Sequence, residues 1–142
     1  MSTTRDATRE GAEALVRQWY QRFNDGDRAG MLALLAEDAV HDINQGGRET
    51  GLPAFKAFLE RMDRSYREQV SGLVVMSDAS GSHAAAEFLV HGTYIATDSG
   101  LPPASGQTYV LPAGAFFQVK DGRISRVSTS YNLPAWIRMV GG

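Results

Sequence analysis

The spacing of apolar residues changes once along this chain, near residue 67, from about 3.6 to 2, and that switch limits the architectures open to it. Upstream, Ala12, Leu15, Val16, Trp19, Tyr20 and Phe23 recur at three- and four-residue intervals, the stripe of an amphipathic helix. Asn24-Asp25-Gly26-Asp27 ends that helix, and Asp27 can cap a short second one carrying Met31, Leu32, Leu34 and Leu35. A brief strand is expected from Val40 to about Asn44, followed by a turn at Gln45-Gly46-Gly47. Pro53 stands where the first turn of a helix tolerates proline, and Phe55, Phe58, Leu59, Met62 and Tyr66 carry a third helix to about Arg67. Downstream, alternation predicts strands over 70–76, 84–97, 107–120 and 123–131, with Asp121-Gly122 as a hairpin turn. Residues 98–105, with Gly100, Pro102 and Pro103, form a loop, and Pro134 can open a closing segment with Trp136, Ile137, Met139 and Val140. Three helices followed by strands on short connections predict an α+β fold, helices on one face of an antiparallel sheet, as one domain over 1–142.

Composition narrows the partners. A formal charge of −2 lacks the basic face that phosphate binding needs, so no nucleic-acid partner is expected. No apolar run is long enough to span a bilayer, and the polar start Met1-Ser2-Thr3-Thr4-Arg5-Asp6 is unlike a secretion signal, which leaves a cytoplasmic location as the default expectation. With no cysteine, thiolate chemistry and zinc–sulfur sites are excluded. His41, His83 and His91 have no ligand spacing that would gather them, so neither metal nor cofactor is expected.

Three strings carry a resemblance: Phe23-Asn24-Asp25-Gly26-Asp27, then Leu34-Leu35-Ala36-Glu37-Asp38-Ala39-Val40, then His41-Asp42-Ile43 followed by Gly51. With the order of elements they resemble the nuclear transport factor 2-like superfamily, above all its ketosteroid isomerase-related and SnoaL-like polyketide cyclase members. Glu87-Phe88-Leu89-Val90-His91-Gly92 and Tyr131-Asn132-Leu133 strengthen the likeness. It implies a cystatin-like cone, three N-terminal helices packed on a curved antiparallel sheet, with a conical pocket for a small apolar, often polycyclic ligand. It also implies a homodimer paired through the outer sheet face.

In ketosteroid isomerases an aspartate near the end of the first strand moves a proton from carbon to carbon. That position falls on Asp42 if one residue of the strand is skipped; if none is, parity turns His41 inward instead. Asp42 could equally bond the turn that follows it. The two donors to the enolate, a tyrosine and a protonated acid in that family, fall on Trp19 and Gly114, which speaks against an efficient steroid isomerase. Alternation gives inward sets of Phe88, Val90, Gly92 and Tyr94, then Val110, Gly114 and Phe116, then Val127, Thr129 and Tyr131. Phe23, Phe58 and Met62 would close the walls, with Tyr131, Thr129 and Trp19 as polar contacts and Asn132 near the mouth; Tyr131, able to replace a missing donor, joins Asp42 and His41 as a catalytic candidate. Glu87 and His91 fall on the outer face, as interface residues, with a catalytic base as the alternative reading of His91. The loop over 98–107 either folds over the mouth or reaches a dimer partner. Three readings stay open: a proton-transferring enzyme on an apolar carbonyl compound, a non-catalytic ligand carrier, and a dimerisation module. Epoxide hydrolysis needs an arginine and a second acid, and the sequence pattern gives neither a convincing inward position.

Overall fold

The computed structural model describes residues 8–44 and 46–141. The polar start Met1–Asp6 and Gln45 of the expected turn lie outside them. Helix α1 (Arg9–Asp25) buries Ala12, Leu15, Val16, Trp19 and Tyr20 and stops at Gly26, whose φ of 73° closes the last turn through its N–H. Such a left-handed cap suits glycine, which has no Cβ to clash. Asp27 then opens α2 (Arg28–Ala33), its Oδ1 accepting from the Gly30 N–H at 2.8 Å.

The chain leaves the helix two residues earlier than the apolar pattern predicts. Leu35 starts strand β1 (Leu35–Asp42), which is eight residues long rather than a short piece from Val40. A shift of register between Leu35 and Val40 against the neighbouring strand accommodates the polar pair Glu37-Asp38. A short β2 (Arg48–Thr50), which the turn-rich sequence concealed, pairs antiparallel with β1. Helix α3 (Leu52–Ser65) follows, with Pro53 in its first turn. Strands β3 (Tyr66–Ser77), β4 (His83–Tyr94), β5 (Gln107–Lys120) and β6 (Arg123–Tyr131) follow, and helix α4 (Leu133–Gly141) closes the chain.

The α+β class holds, as one six-stranded curved sheet in the order β2-β1-β6-β5-β4-β3. The expected sheet was antiparallel throughout; β1 instead runs parallel to β6, His41 opposite Val127 and Asp42 opposite Ser128. The inner face of the sheet and helices α1 and α3 share a core that includes Val16, Trp19, Phe55, Phe88 and Phe117. A second cluster, Tyr94, Tyr109, Leu111, Trp136 and Val140, ties α4 to the far end of β4 and β5. Among the described residues no helix is long and apolar enough to cross a membrane.

Candidate functional site

Between the helices and the inner face of the sheet lies a cavity of about 400 Å³, a size suited to a small organic ligand. Of the predicted wall residues, Trp19, Phe23, Phe58, Met62, Phe88, Val90, Val127, Thr129 and Tyr131 all line it. The loop after β4 lies over this cavity, because Asp98, Ser99 and Leu101 join the lining. Tyr94 pins the loop, donating to the Pro102 carbonyl at 2.7 Å and accepting from the Asp98 N–H at 2.9 Å.

Asp42, the leading catalytic candidate, is not in the lining. Buried Ala39 and His41 alternate with more exposed Val40 and Asp42, so no residue of this stretch is skipped and His41 turns inward. The Asp42 carboxylate is held outside by two arginines, Arg48 Nε at 2.6 Å and Arg126 at 2.8 Å. The Arg48 hydrogen bond, with help from Arg126, brings its pKa down to about 2. Asp42 therefore supports the fold above the ordinary carboxylate range, a contribution lost only as pH falls through about 2. So low a pKa makes it a poor base.

The third strand of the predicted wall is also corrected. Inward residues of β5 are Tyr109, Leu111, Ala113, Ala115 and Phe117, while Val110 and Phe116 are exposed at 49% and 55%. Register explains this: Val110 lies opposite His91 and Gly114 opposite Glu87, and cross-strand partners share a face. Val110-Leu111 and Phe116-Phe117 are apolar on both faces, which erased the alternation. Gly114 is thus outside the lining, and Ala113, which takes part in it, is no acid either. Asn132 also leaves the site; its Oδ1 accepts from the Ala135 N–H at 3.0 Å and caps α4. Glu87 and His91 are exposed on the outer face as expected, His91 bonded to Ser71 Oγ at 2.8 Å. The exposed apolar residues Val74, Met76, Leu89, Val110 and Phe116 share that face.

Sequence reasoning missed several polar groups of the cavity: Glu68, Tyr66 with Asp98, Arg28 with Asp63, Arg61 and Asn44. Four of these bond in two pairs, Tyr66 donating to Asp98 at 2.8 Å and Arg28 pairing with Asp63 at 2.9 Å. The helix ends at Ser65 rather than about Arg67 and the strand begins at Tyr66, not 70, so Tyr66, Glu68 and Val70 share one face of a strand, which the helical reading of Tyr66 hid.

Residues 16–127 match the SnoaL-like domain, most of the chain's length. The chain belongs to the SnoaL-like domain family. Its structure is similar to that of a protein provisionally called a polyketide cyclase from Pseudomonas putida KT2440, with 56% identity, a TM-score of 0.90, and coverage of 91% of this chain and 97% of that one. A second such protein, from Xanthomonas campestris pv. campestris, is 55% identical with a TM-score of 0.90, over 92% of this chain and 97% of that one. A nuclear transport factor 2-like protein from Burkholderia xenovorans LB400, 16% identical, shares the fold at a TM-score of 0.74, over 94% of this chain and 98% of that one. Among curated proteins none matches the chain.

Within this SnoaL-like domain His41 is the most distinctive group. It is 4% exposed, stacked on Phe55 at 4.4 Å between ring centres, with the edge of Phe58 at 4.5 Å. Neither ring nitrogen hydrogen-bonds to a described residue, and Nδ1 is buried without a partner. Burial lowers its pKa from 6.5 to about 4; the Asp42 carboxylate opposes that shift and Arg61 adds to it. The imidazole is therefore neutral at pH 7. Between pH 4 and 6.5 the unfolded chain binds a proton that the folded chain refuses, so stability from this group is complete above 6.5 and is lost as pH falls towards 4. We expect His41→Phe to remove on the order of 2 kcal/mol of the wild-type loss between pH 7 and pH 5, read by urea melts at both pH values. Parallel losses in the two proteins would show that His41 is not held neutral.

Proposed function

We propose that this SnoaL-like protein is a small-molecule enzyme of the ketosteroid isomerase and polyketide cyclase type, transferring a proton beside the carbonyl of an apolar substrate. The observation that carries the reading is His41, a neutral imidazole with no hydrogen bond to a described residue, on the aromatic wall of a ligand-sized cavity. Enolate formation places negative charge on the carbonyl oxygen, and a donor aimed there from a dry wall stabilises that charge far more than it would in water. A neutral imidazole offers one N–H for this purpose and pays no cost of burying a cation. Thr129 and Tyr131 from β6, and Trp19 from α1, supply further polar atoms around the ligand. Asp42 has no chemical part in this scheme.

The test is incorporation of deuterium from D₂O next to the carbonyl in a tetralone, a cyclohexenone and a β,γ-unsaturated ketosteroid, followed by mass spectrometry. This reports the shared first step of isomerisation, cyclisation and dehydration, whatever the final product. The wild type should exchange at least one ketone. Asp42→Asn should stay within about threefold of it, and His41→Phe should fall about 10²–10³-fold, the usual loss of one such donor. Full activity in His41→Phe would remove the assignment.

A second reading, a non-catalytic carrier, is favoured by one observation: the polar pairs Tyr66–Asp98 and Arg28–Asp63 are satisfied internally, leaving much of the wall hydrocarbon. It predicts ketones that raise the melting temperature of the wild type without exchanging.

A further inference from the structure

With Asp42 outside the cavity, the proton-transfer reading lacks a base; of the carboxylates that line the cavity, Asp63 is ion-paired, Asp98 takes the Tyr66 hydroxyl from the loop after β4, and Glu68 stands on the sheet itself. Glu68 stands near the start of β3, two residues beyond Tyr66, and its half-buried side chain lines the cavity. Tyr109 of β5 donates its hydroxyl to Glu68 Oε2 at 2.6 Å. No described residue hydrogen-bonds Oε1, and that oxygen is not among the sealed, unpartnered atoms, so it keeps accessible surface on a residue that lines the cavity. The carboxylate is held by one oxygen and free at the other, the arrangement a base needs to meet a C–H bond.

The surroundings are built around this contact. Tyr109 is 5% exposed and sits edge-on to Trp136 at 5.9 Å. Its ring occupies the space that a Cβ at position 92 would need, so Gly92 on the adjacent strand is what lets it lie there. The charged and titratable groups facing Glu68 are Tyr109 from β5, Tyr131 from β6 and Arg28 from α2. Tyr66, Asp63 and Asp98 line the same cavity. Burial raises the Glu68 pKa above its ordinary value, against the pull of the Tyr109 hydrogen bond and of Arg28. A carboxylate whose ionised form is disfavoured by burial is a stronger base than an exposed one.

We propose that Glu68 is the base of this site and Tyr109 its positioning residue, with His41 donating to the substrate oxygen. The inference rests on the enzyme reading above. In the step, Glu68 Oε1 takes a proton from the carbon beside the carbonyl. The C–H electron pair becomes the new C=C bond, and the carbonyl π pair moves to oxygen, where His41 holds it by a hydrogen bond. Glu68 then returns the proton to the same carbon or to one further along a conjugated chain. No oxidant, metal or second reactant enters the balance. The substrate class is a ketone with an acidified neighbouring C–H and an apolar body.

The experiment measures deuterium exchange into the same three ketones across pH 4–9, for wild type, Glu68→Gln, Glu68→Asp and Tyr109→Phe. Glu68→Gln keeps an acceptor for the Tyr109 hydroxyl and should fold, with exchange reduced about 10²–10⁴-fold. Glu68→Asp, which keeps a carboxylate, should exchange slowly and retain a rise of rate with pH. Tyr109→Phe removes a bond that favours the ionised carboxylate, so its acid limb should move up by about one pH unit. A merely structural tyrosine would lower the rate and leave the limb in place. Wild-type exchange that survives in Glu68→Gln within tenfold overturns the base assignment and leaves the enzyme reading standing. An unmoved limb in Tyr109→Phe overturns the positioning role. No exchange of any ketone by the wild type overturns the enzyme reading, and the assignment of Glu68 falls with it.

Discussion

Trp136→Ala is expected to lower the melting temperature by roughly 10–17 °C, the largest single-residue effect outside the main core. The indole is 3% exposed and meets three tyrosine rings edge-on: Tyr94 at 5.0 Å, Tyr66 at 5.9 Å and Tyr109 at 5.9 Å. Deleting a buried tryptophan costs about 3–5 kcal/mol, transfer and cavity terms together. A chain of this length gains about 0.3 kcal/mol/K of unfolding entropy, which converts that loss into the temperature shift. The effect has a local reason as well. Helix α4 packs its buried face, Trp136 and Val140, against the second cluster, so the alanine variant loosens the helix and the loop beneath it together. Met139→Ala on the same helix, where Met139 is 43% exposed, should change stability by no more than about 0.5 kcal/mol. Melts of the two variants decide the matter, and a Trp136→Ala loss below about 1 kcal/mol would mean that α4 is not anchored through this ring.

Gly92→Ala is the second large effect, and it acts on both stability and chemistry. A methyl at residue 92 would overlap the outer end of the Tyr109 ring. An exposed side chain would swing away at little cost. This ring is buried, held by Glu68 at the hydroxyl and by Trp136 at the edge, so displacement costs about 1–3 kcal/mol. The melting temperature should fall by roughly 3–10 °C. Because the Glu68–Tyr109 bond breaks as well, the pH profile of exchange should shift in the same direction as in Tyr109→Phe. A double-mutant cycle isolates the clash: in a Tyr109→Leu background the shorter side chain leaves room, and the added methyl should then cost little. An equal penalty in both backgrounds would place the cost in the strand itself.

Apart from β2, the order of elements was legible because the change of period is a physical consequence of helix and strand geometry. The walls contributed by α1, β4 and β6 were legible for the same reason: Trp19, Phe88, Val90, Val127, Thr129 and Tyr131 follow clean alternation or a clean stripe. On β5 the apolar residues run on both faces, and parity can be set only by the partner strand. Register, not pattern, decides that Phe117 is core and Phe116 is not. Asp42 failed for a different reason. One residue of strand parity separates a cavity carboxylate from a surface one, and the two arginines that claim Asp42 come from residues 48 and 126, beyond any local pattern. Glu68 stayed hidden because the helical pattern runs on through Tyr66 to about Arg67, where the strand has already begun, and because a carboxylate beside Arg67 and Gln69 looks like solvated surface until Tyr109 is found bonded to it.

The parallel pairing of β1 with β6 has a consequence for how the chain acquires its cavity. Ile124 of β6 sits opposite Leu35, and Val127 opposite His41, partners separated by most of the sequence. Closing so long a loop is slow, because its entropy is spent before the contact rewards it. The edge of β1, which carries His41, therefore has no partner on that side until β6 has been made and folds back onto it. An exposed edge of this kind invites pairing with other chains. The cavity wall is complete only once this long-range pairing has formed, so a ligand that fits the cavity acts as a clamp between β1 and β6.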